Sequence, residues 1–238
     1  MCGCSFNDKN CNTKLNNFSG HKHTTIWDEL VCHLPYAVLS VAFGLILISF
    51  LDYYKFAFND EKIMRKGAHG LFHSFHFLHL VFSSLGTVIA FSRYSKSIFK
   101  AIFIGTVAPI VFCVLSDVVL PYYGGRMLGA NMHWHFCFYS ELHQVLPFLF
   151  AGLLTGLLLS RHGDALQSFY SFSSHFTHIL VSSLASLFYL VSEGLYNWQP
   201  QMGMVFLFLI AAVVIPCTFS DVIVPITFAK WGDKNEKH

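Results

Sequence analysis

The chain has 238 residues, of which 54% are hydrophobic and only 12% are charged, and its formal net charge at pH 7 is +2. Soluble domains carry about 25% charged residues, so this composition argues against an ordinary soluble globule and favours an integral membrane protein. So small a net charge gives no electrostatic basis for binding nucleic acid, and no nucleic-acid partner is expected.

The chain starts with a polar tail, residues 1–28, which contains cysteine and histidine. Because its first residues are polar and rich in asparagine, we expect no cleavable signal peptide. The cysteines of the tail leave lipidation, metal binding and an unstructured segment open. Six mostly apolar segments follow the tail, and each has about the 20 residues that a membrane span requires. They are Leu34–Leu51, Gly70–Phe91, Ile98–Tyr122, Tyr139–Ser160, His175–Val191 and Gly203–Phe228.

Two of the predicted connections are long. Asp52–His69 is charged and is expected to lie along the membrane interface, and Tyr123–Phe138 is rich in glycine and histidine. The side of the N terminus, called side A, carries about twice as many lysines and arginines as the opposite side B. Because cytoplasmic loops carry this excess, both termini are expected to be cytoplasmic. The lipid bilayer is the expected partner, and a homo-oligomer is left open.

The sequence contains an internal repeat. Three pairs of segments match in the same order, and each contains rare polar residues: Glu29–Tyr36 with Glu141–Phe148, His76–Leu85 with His175–Leu184, and Cys113–Pro121 with Cys217–Pro225. Chance does not readily give such an order, so two related three-helix halves are predicted. The predicted fold is all-α, with the repeats at residues 29–125 and 139–229, a connection at 126–138 and a polar C-terminal tail at 230–238.

Each predicted half has three spans, an odd number, so the second half enters the membrane from the opposite side. This is an inverted-topology repeat, an arrangement that many secondary transporters use. One His–His–Asp set is expected near side B and its copy near side A, and the glutamate of each comes from the other half. The two predicted clusters are His76, His79, Asp117 and Glu141, and His175, His178, Asp221 and Glu29.

Two imidazoles and two carboxylates are a ligand set for Zn²⁺, Fe²⁺ or Mn²⁺, whereas Mg²⁺ and Ca²⁺ prefer oxygen ligands alone. Ionisable groups at membrane depth are costly and are by default functional candidates. Nearby cysteines, serines and further histidines are accessory candidates: Cys113, Cys217, Ser116, Ser220, His73, His69, His33 and His143. The alternative for the repeated set is a polar network that only holds the two halves together.

The favoured hypothesis is a membrane transporter or channel for a divalent transition metal ion, with one cluster in each leaflet. Histidine titrates near neutral pH, which would allow coupling to protons. A membrane-embedded metalloenzyme of the non-haem iron or zinc type is the main alternative, although an enzyme gives no reason for a mirrored second site. A haem-binding electron carrier and a non-catalytic membrane organiser are further alternatives. Enzymatic activity is thus left open, with transport preferred.

Overall fold

The computed structural model describes residues 26–135, 137, 141–161 and 164–235, and all the secondary structure in these ranges is helical. Residues 1–25 of the predicted tail lie outside the described residues. The elements in chain order are α1 Ile26–Phe58, α2 Glu61–Ser92, α3 Ile98–Val114, a first π-helix Leu115–Val119, α4 Leu120–Met127, α5 Leu142–Leu159, α6 Asp164–Glu193, a 3₁₀ turn Gln199–Gln201, α7 Met202–Thr218, a second π-helix Phe219–Ile223 and α8 Val224–Asn235.

Within the described residues, six stretches of helix are long and apolar enough to cross a membrane, and this confirms the predicted number of spans. The third span joins α3, the first π-helix and α4, and the sixth joins the 3₁₀ turn, α7, the second π-helix and most of α8. Helices satisfy their own backbone hydrogen bonds, which is what a segment in lipid requires. The architecture is that of an all-helical, multi-pass membrane protein.

The predicted connection Asp52–His69 is wrong, because the helices continue into this charged segment. α1 ends at Phe58 and α2 begins at Glu61, which leaves only Asn59 and Asp60 between them. Asn59 turns the chain with a left-handed φ of 49°. The Asp60 carboxylate then caps α2 by accepting a hydrogen bond from the backbone N–H of Lys62 at 2.8 Å. Charged residues such as Lys and Glu are good helix formers, so charge alone did not mark the end of a helix.

Helices α2 and α6 form the centre of the bundle. In the most apolar window of each span, 61% of the residues of α2 and 78% of those of α6 are buried, against 33% for α1 and 22% for α5. α2 packs along α6, α5 packs on α2, and α1 packs on α6. Glycine permits the close approach of α5, since a Cβ on Gly152 would lie 2.5 Å from the carbonyl oxygen of Val81. Small residues at helix contacts are the usual means of association in lipid.

The two π-helices each contain one of the repeated aspartates. Asp117 lies in the first and Asp221 in the second, and a proline follows each aspartate four residues later, at Pro121 and Pro225. Proline has no N–H to donate to the residue four positions before it, and its ring clashes with that carbonyl group in a regular α-helix. The wider π turn accommodates this constraint at each aspartate. Single π turns within helices occur frequently at functional sites.

Candidate metal centre

Two histidines meet where α2 and α6 pack together. Nε2 of His79 and Nε2 of His178 are 2.6 Å apart, and both side chains are buried. The other ring nitrogen of each histidine faces an aspartate of the same half. Nδ1 of His79 is 2.7 Å from Oδ2 of Asp117, and Nδ1 of His178 is 2.5 Å from Oδ2 of Asp221. The four side chains therefore form one continuous Asp–His–His–Asp row.

This contact corrects the prediction of two separate clusters. The depth of each histidine was counted from the start of its apolar segment, Gly70 for the first. The helix itself begins earlier, at Glu61, and α6 begins at Asp164. Counted from these ends, His79 and His178 both lie close to the middle of their helices, so packing the helices together brings the two rings into contact. The predicted residues are brought together, but as one row.

The hydrogen bonds of this row assign the proton on each ring. An ionised carboxylate only accepts hydrogen bonds, so Nδ1 of His79 and Nδ1 of His178 each donate to an aspartate. A neutral imidazole carries one proton, which leaves both Nε2 atoms as lone-pair acceptors. Two lone pairs at 2.6 Å repel each other unless a proton or a metal cation lies between them. A carboxylate behind the histidine is also the usual means of orienting an imidazole toward a metal.

Cysteine supplies further ligand atoms at the same point. Sγ of Cys217 is 3.8 Å from Nε2 of His79, and the ligand atoms of His79, His178 and Cys217 all lie within 4.8 Å of one another. The thiol of Cys113 also interacts with the His79 ring. In a tetrahedral zinc site, two bound nitrogens are roughly 3.3 Å apart. The two rings would have to move apart by less than about 1 Å to hold such an ion.

Serine hydroxyl groups hold the first aspartate in place. Oδ1 of Asp117 accepts hydrogen bonds from Ser116 at 2.7 Å and from Ser182 at 3.0 Å. Ser220, the counterpart of Ser116, has no described hydrogen bond to the adjacent aspartate, and its hydroxyl pairs with that of Ser83 at 2.8 Å. Oδ1 of Asp221 is buried and has no hydrogen-bond partner among the described residues. The second carboxylate thus keeps an acceptor atom available to a cation.

The remaining repeated histidines extend the row at both ends. Nδ1 of His76 lies 2.9 Å from Oδ2 of Asp117, and Nδ1 of His175 lies 3.6 Å from Oδ2 of Asp221. Nε2 of His175 lies 2.5 Å from Nε2 of His33 on α1, whose side chain is 3% exposed. His33, an accessory candidate in the sequence because it lies four residues after Glu29, therefore contacts this network.

Glu141 lies elsewhere than predicted. Its Oε1 contacts Nε2 of His73 at 3.1 Å, and no contact of Glu141 with the central row is among the described interactions. The reason is the start of α5, because Glu141 immediately precedes this helix, whereas His76 lies about four turns into α2. His143, the second residue of α5, is exposed. The side chain of Glu29 lies outside the described part of the chain.

Sequence reasoning missed several members of the network. Ser83 and Ser182 follow the repeated histidines within the matched segments, so the repeat itself held the signal for them. Glu193 contacts His69, with 3.4 Å between its Oε1 and the ring Nδ1. It was missed because it has no counterpart in the other half and lies at the end of a span.

Comparison with protein-family models, with curated proteins and with solved structures gives no significant match.

Proposed function

We propose that this protein moves a divalent transition metal ion across the membrane through the centre of the bundle. The observation that carries the proposal is the pair of Nε2 atoms of His79 and His178, 2.6 Å apart, each with an aspartate behind its ring. A buried pair of lone-pair acceptors is a site for a cation. Its position at the middle of two central helices is where transporters commonly bind their substrate.

The ligand types favour zinc as the transported ion. Imidazole suits zinc and iron, and the thiol of Cys217, once deprotonated, adds a soft ligand that favours zinc over manganese. Before a metal binds, a proton between the two rings is the other means of relieving their repulsion. Binding of the metal displaces this proton, and binding by Cys217 releases another. Exchange of metal for protons therefore follows from the ligand chemistry.

Further pairs of facing histidine nitrogens extend along the bundle on both sides of the central pair. Toward side A, Nε2 of His175 faces Nε2 of His33 at 2.5 Å. Toward side B, Nε2 of His73 faces Nε2 of His135 at 3.2 Å. A cation that leaves the central pair would thus meet nitrogen ligands in either direction. Several weak sites in series are what conduction requires, since one tight site would retain the ion.

We also propose that the two halves are an inverted repeat, and matched hydrogen bonds support this. Ser83 contacts Ser220 at 2.8 Å, and their counterparts Ser182 and Ser116 are 3.4 Å apart. Each contact joins the second helix of one half to the π-helix of the other. Such an exchange is expected when two copies are related by a two-fold axis in the membrane plane.

Matched glycine contacts support the same relation. A Cβ on Gly44 of α1 would lie 3.0 Å from the side chain of Leu187 on α6. A Cβ on its counterpart Gly156 of α5 would lie 2.9 Å from Val88 on α2, and Val88 is the counterpart of Leu187. The first helix of each half therefore packs on the second helix of the other half. With side A cytoplasmic, the row of ligands would connect the cytoplasm with the opposite compartment.

The direct test is zinc flux into vesicles that contain the purified full-length protein and an internal zinc-sensitive dye. We expect Asp117→Asn and Asp221→Asn each to lower the initial rate at least about 10-fold, because each removes the carboxylate that orients a metal-binding imidazole. His143→Gln, on an exposed face of α5, is the matched control and should retain the normal rate. Normal flux in both aspartate variants would overturn the proposal.

A further inference from the structure

A second group of convergent ligands lies at the side B end of the bundle. The ligand atoms of His69, His73 and His135 all lie within 4.8 Å of one another. Two carboxylates join them, with Glu141 Oε1 at 3.1 Å from Nε2 of His73 and Glu193 Oε1 at 3.4 Å from Nδ1 of His69. We call these five residues the outer cluster.

The proton on the His73 ring can be assigned in the same way as in the central row. Nδ1 of His73 is 2.9 Å from the carbonyl oxygen of His69, and a carbonyl only accepts, so Nδ1 carries the proton. Nε2 of neutral His73 is then an acceptor, yet it faces Nε2 of His135 and the carboxylate of Glu141. Two acceptors, Nε2 of His73 and Oε1 of Glu141, thus lie 3.1 Å apart, and a third ring nitrogen, Nε2 of His135, lies 3.2 Å from the first. A cation bound among these atoms would relieve the repulsion between the two acceptors.

The frame around the outer cluster is fixed by contacts from three parts of the chain. The backbone N–H of His135 donates to the hydroxyl of Tyr189 on α6 at 3.3 Å. The backbone N–H of His133 donates to the carbonyl of Glu193 at 2.7 Å. A Cβ on Gly194 would lie 2.6 Å from the carbonyl oxygen of Asn131, so this loop packs directly on the end of α6. The backbone that carries these ligands is therefore packed against the end of α6.

The outer cluster is open to solvent but separated from the centre. The side chains of His69 and Glu141 are 46% and 22% exposed, which lets a hydrated ion reach them. On the inner side, the buried ring of Phe72 contacts one histidine of each group of ligands. Its centroid is 4.9 Å from that of His73 and 5.5 Å from that of His76. The outer cluster is thus a site of its own.

We propose that the outer cluster is a second transition-metal site, with nitrogen and oxygen ligands only, that binds the ion from the aqueous phase on side B. The ligand set of three imidazoles and two carboxylates suits Zn²⁺ or Co²⁺. Its capacity to bind metal is independent of the central row. Its role of supplying an ion to that row rests on the proposed function.

Cobalt(II) distinguishes the two sites in the purified full-length protein, because only a thiolate ligand gives a sulfur-to-cobalt charge-transfer band in the near ultraviolet. Titration should show that the protein binds two equivalents of Co²⁺. The equivalent at the central row should show the charge-transfer band from Cys217, and the equivalent at the outer cluster should show visible d–d bands alone. The double variant His73→Ala, His135→Ala should lose the second equivalent and keep the near-ultraviolet band. Cys217→Ser should lose that band and keep the outer equivalent.

Two further variants keep this test decisive if the double variant does not fold. The half-exposed His69→Gln should weaken the outer equivalent by about 10-fold or more while leaving the near-ultraviolet band unchanged. Ser74→Ala, at an exposed position on the same helix, is the control and should change neither. Retention of both equivalents at normal affinity in His69→Gln and in the double variant would overturn the outer site. Loss of the outer equivalent in a protein that never shows the charge-transfer band would support the outer site and count against the central one.

Discussion

At the residue scale, Phe72 separates the two groups of ligands. Its ring is fully buried, stacks on His76 at 25° and meets His73 edge-on. An ion that moved from His73 to His76 along this face would meet the apolar ring of Phe72. We expect Phe72→Ala to speed the rise of the cobalt charge-transfer band after rapid mixing, because it removes this barrier.

The control for Phe72 is Phe75→Ala on the same helix. Phe75 stacks on Phe188 at 5.7 Å between ring centroids, away from the ligands. Removing the fully buried Phe72 ring costs about 3–5 kcal/mol, and removing the partly buried Phe75 ring costs less, so the unfolding free energy of each variant is measured beside its rate. An equal change of rate in the two variants, or none, would show that Phe72 is not a barrier.

Ser182 tests how the central carboxylate is supported. Its hydroxyl donates to Oδ1 of Asp117 at 3.0 Å, together with Ser116 at 2.7 Å. Ser182→Ala removes one of these two donors, and we expect about a 10-fold loss of affinity for cobalt at the central site. Thr155→Ser, whose exposed hydroxyl bonds only within α5, should leave that affinity unchanged. Normal affinity in Ser182→Ala would mean that Ser116 orients the carboxylate alone.

At the element scale, α5 packs closely on α2 at Val81, two residues from His79. A Cβ on Gly152 would lie 2.5 Å from the backbone oxygen of Val81, which cannot move without shifting α2. We expect Gly152→Ala to destabilise the protein by about 1–3 kcal/mol, measured by thermal unfolding in detergent. Gly203→Ala is the control, since a Cβ there meets nothing within 4 Å. Equal stability of the two variants would contradict this packing.

The six spans could be predicted from the sequence because about 20 apolar residues in a row are a strong signal. The end of α1 and the start of α2 could not be predicted, because the charged residues between the apolar segments are also good helix formers. The π-helices were not predicted either. Pro121 and Pro225 indicated a local disturbance of the helix. A proline, which has no N–H to donate, is compatible with a kink, a helix end or a π turn, so the sequence did not distinguish them.

At the scale of the whole molecule, described contacts show which loops share an end of the bundle. Gln199 donates to Asp52 at one end, and Nζ of Lys230 lies 5.4 Å from the centroid of the Tyr94 ring at the other. We expect a topology reporter fused after Asp60 to report from outside the cytoplasm. A reporter after Ser95 should report from the cytoplasm, because side A carries more lysine and arginine. The same location for both reporters would contradict the predicted sidedness.

The sequence predicted which residues form the site better than it predicted how they are arranged. The repeat singled out His79, His178, Asp117 and Asp221, since costly polar residues recurred in matched apolar segments. Their meeting in one row depends on where the helices begin and how they pack, and a single sequence does not specify this. The assignment of Glu141 failed for a related reason. The repeat matches Glu141 with Glu29, but Glu141 contacts His73, which has no counterpart in the second half.

The most direct test of the account is X-ray absorption at the zinc edge of protein loaded with one equivalent of zinc. The sample should carry His73→Ala and His135→Ala, so that only the central site can bind. We predict nitrogen scatterers at about 2.0 Å together with sulfur at about 2.3 Å, and a smaller sulfur contribution in a sample that also carries Cys217→Ser. Zinc surrounded by oxygen and nitrogen alone, or zinc that does not remain bound, would contradict a metal site between His79 and His178.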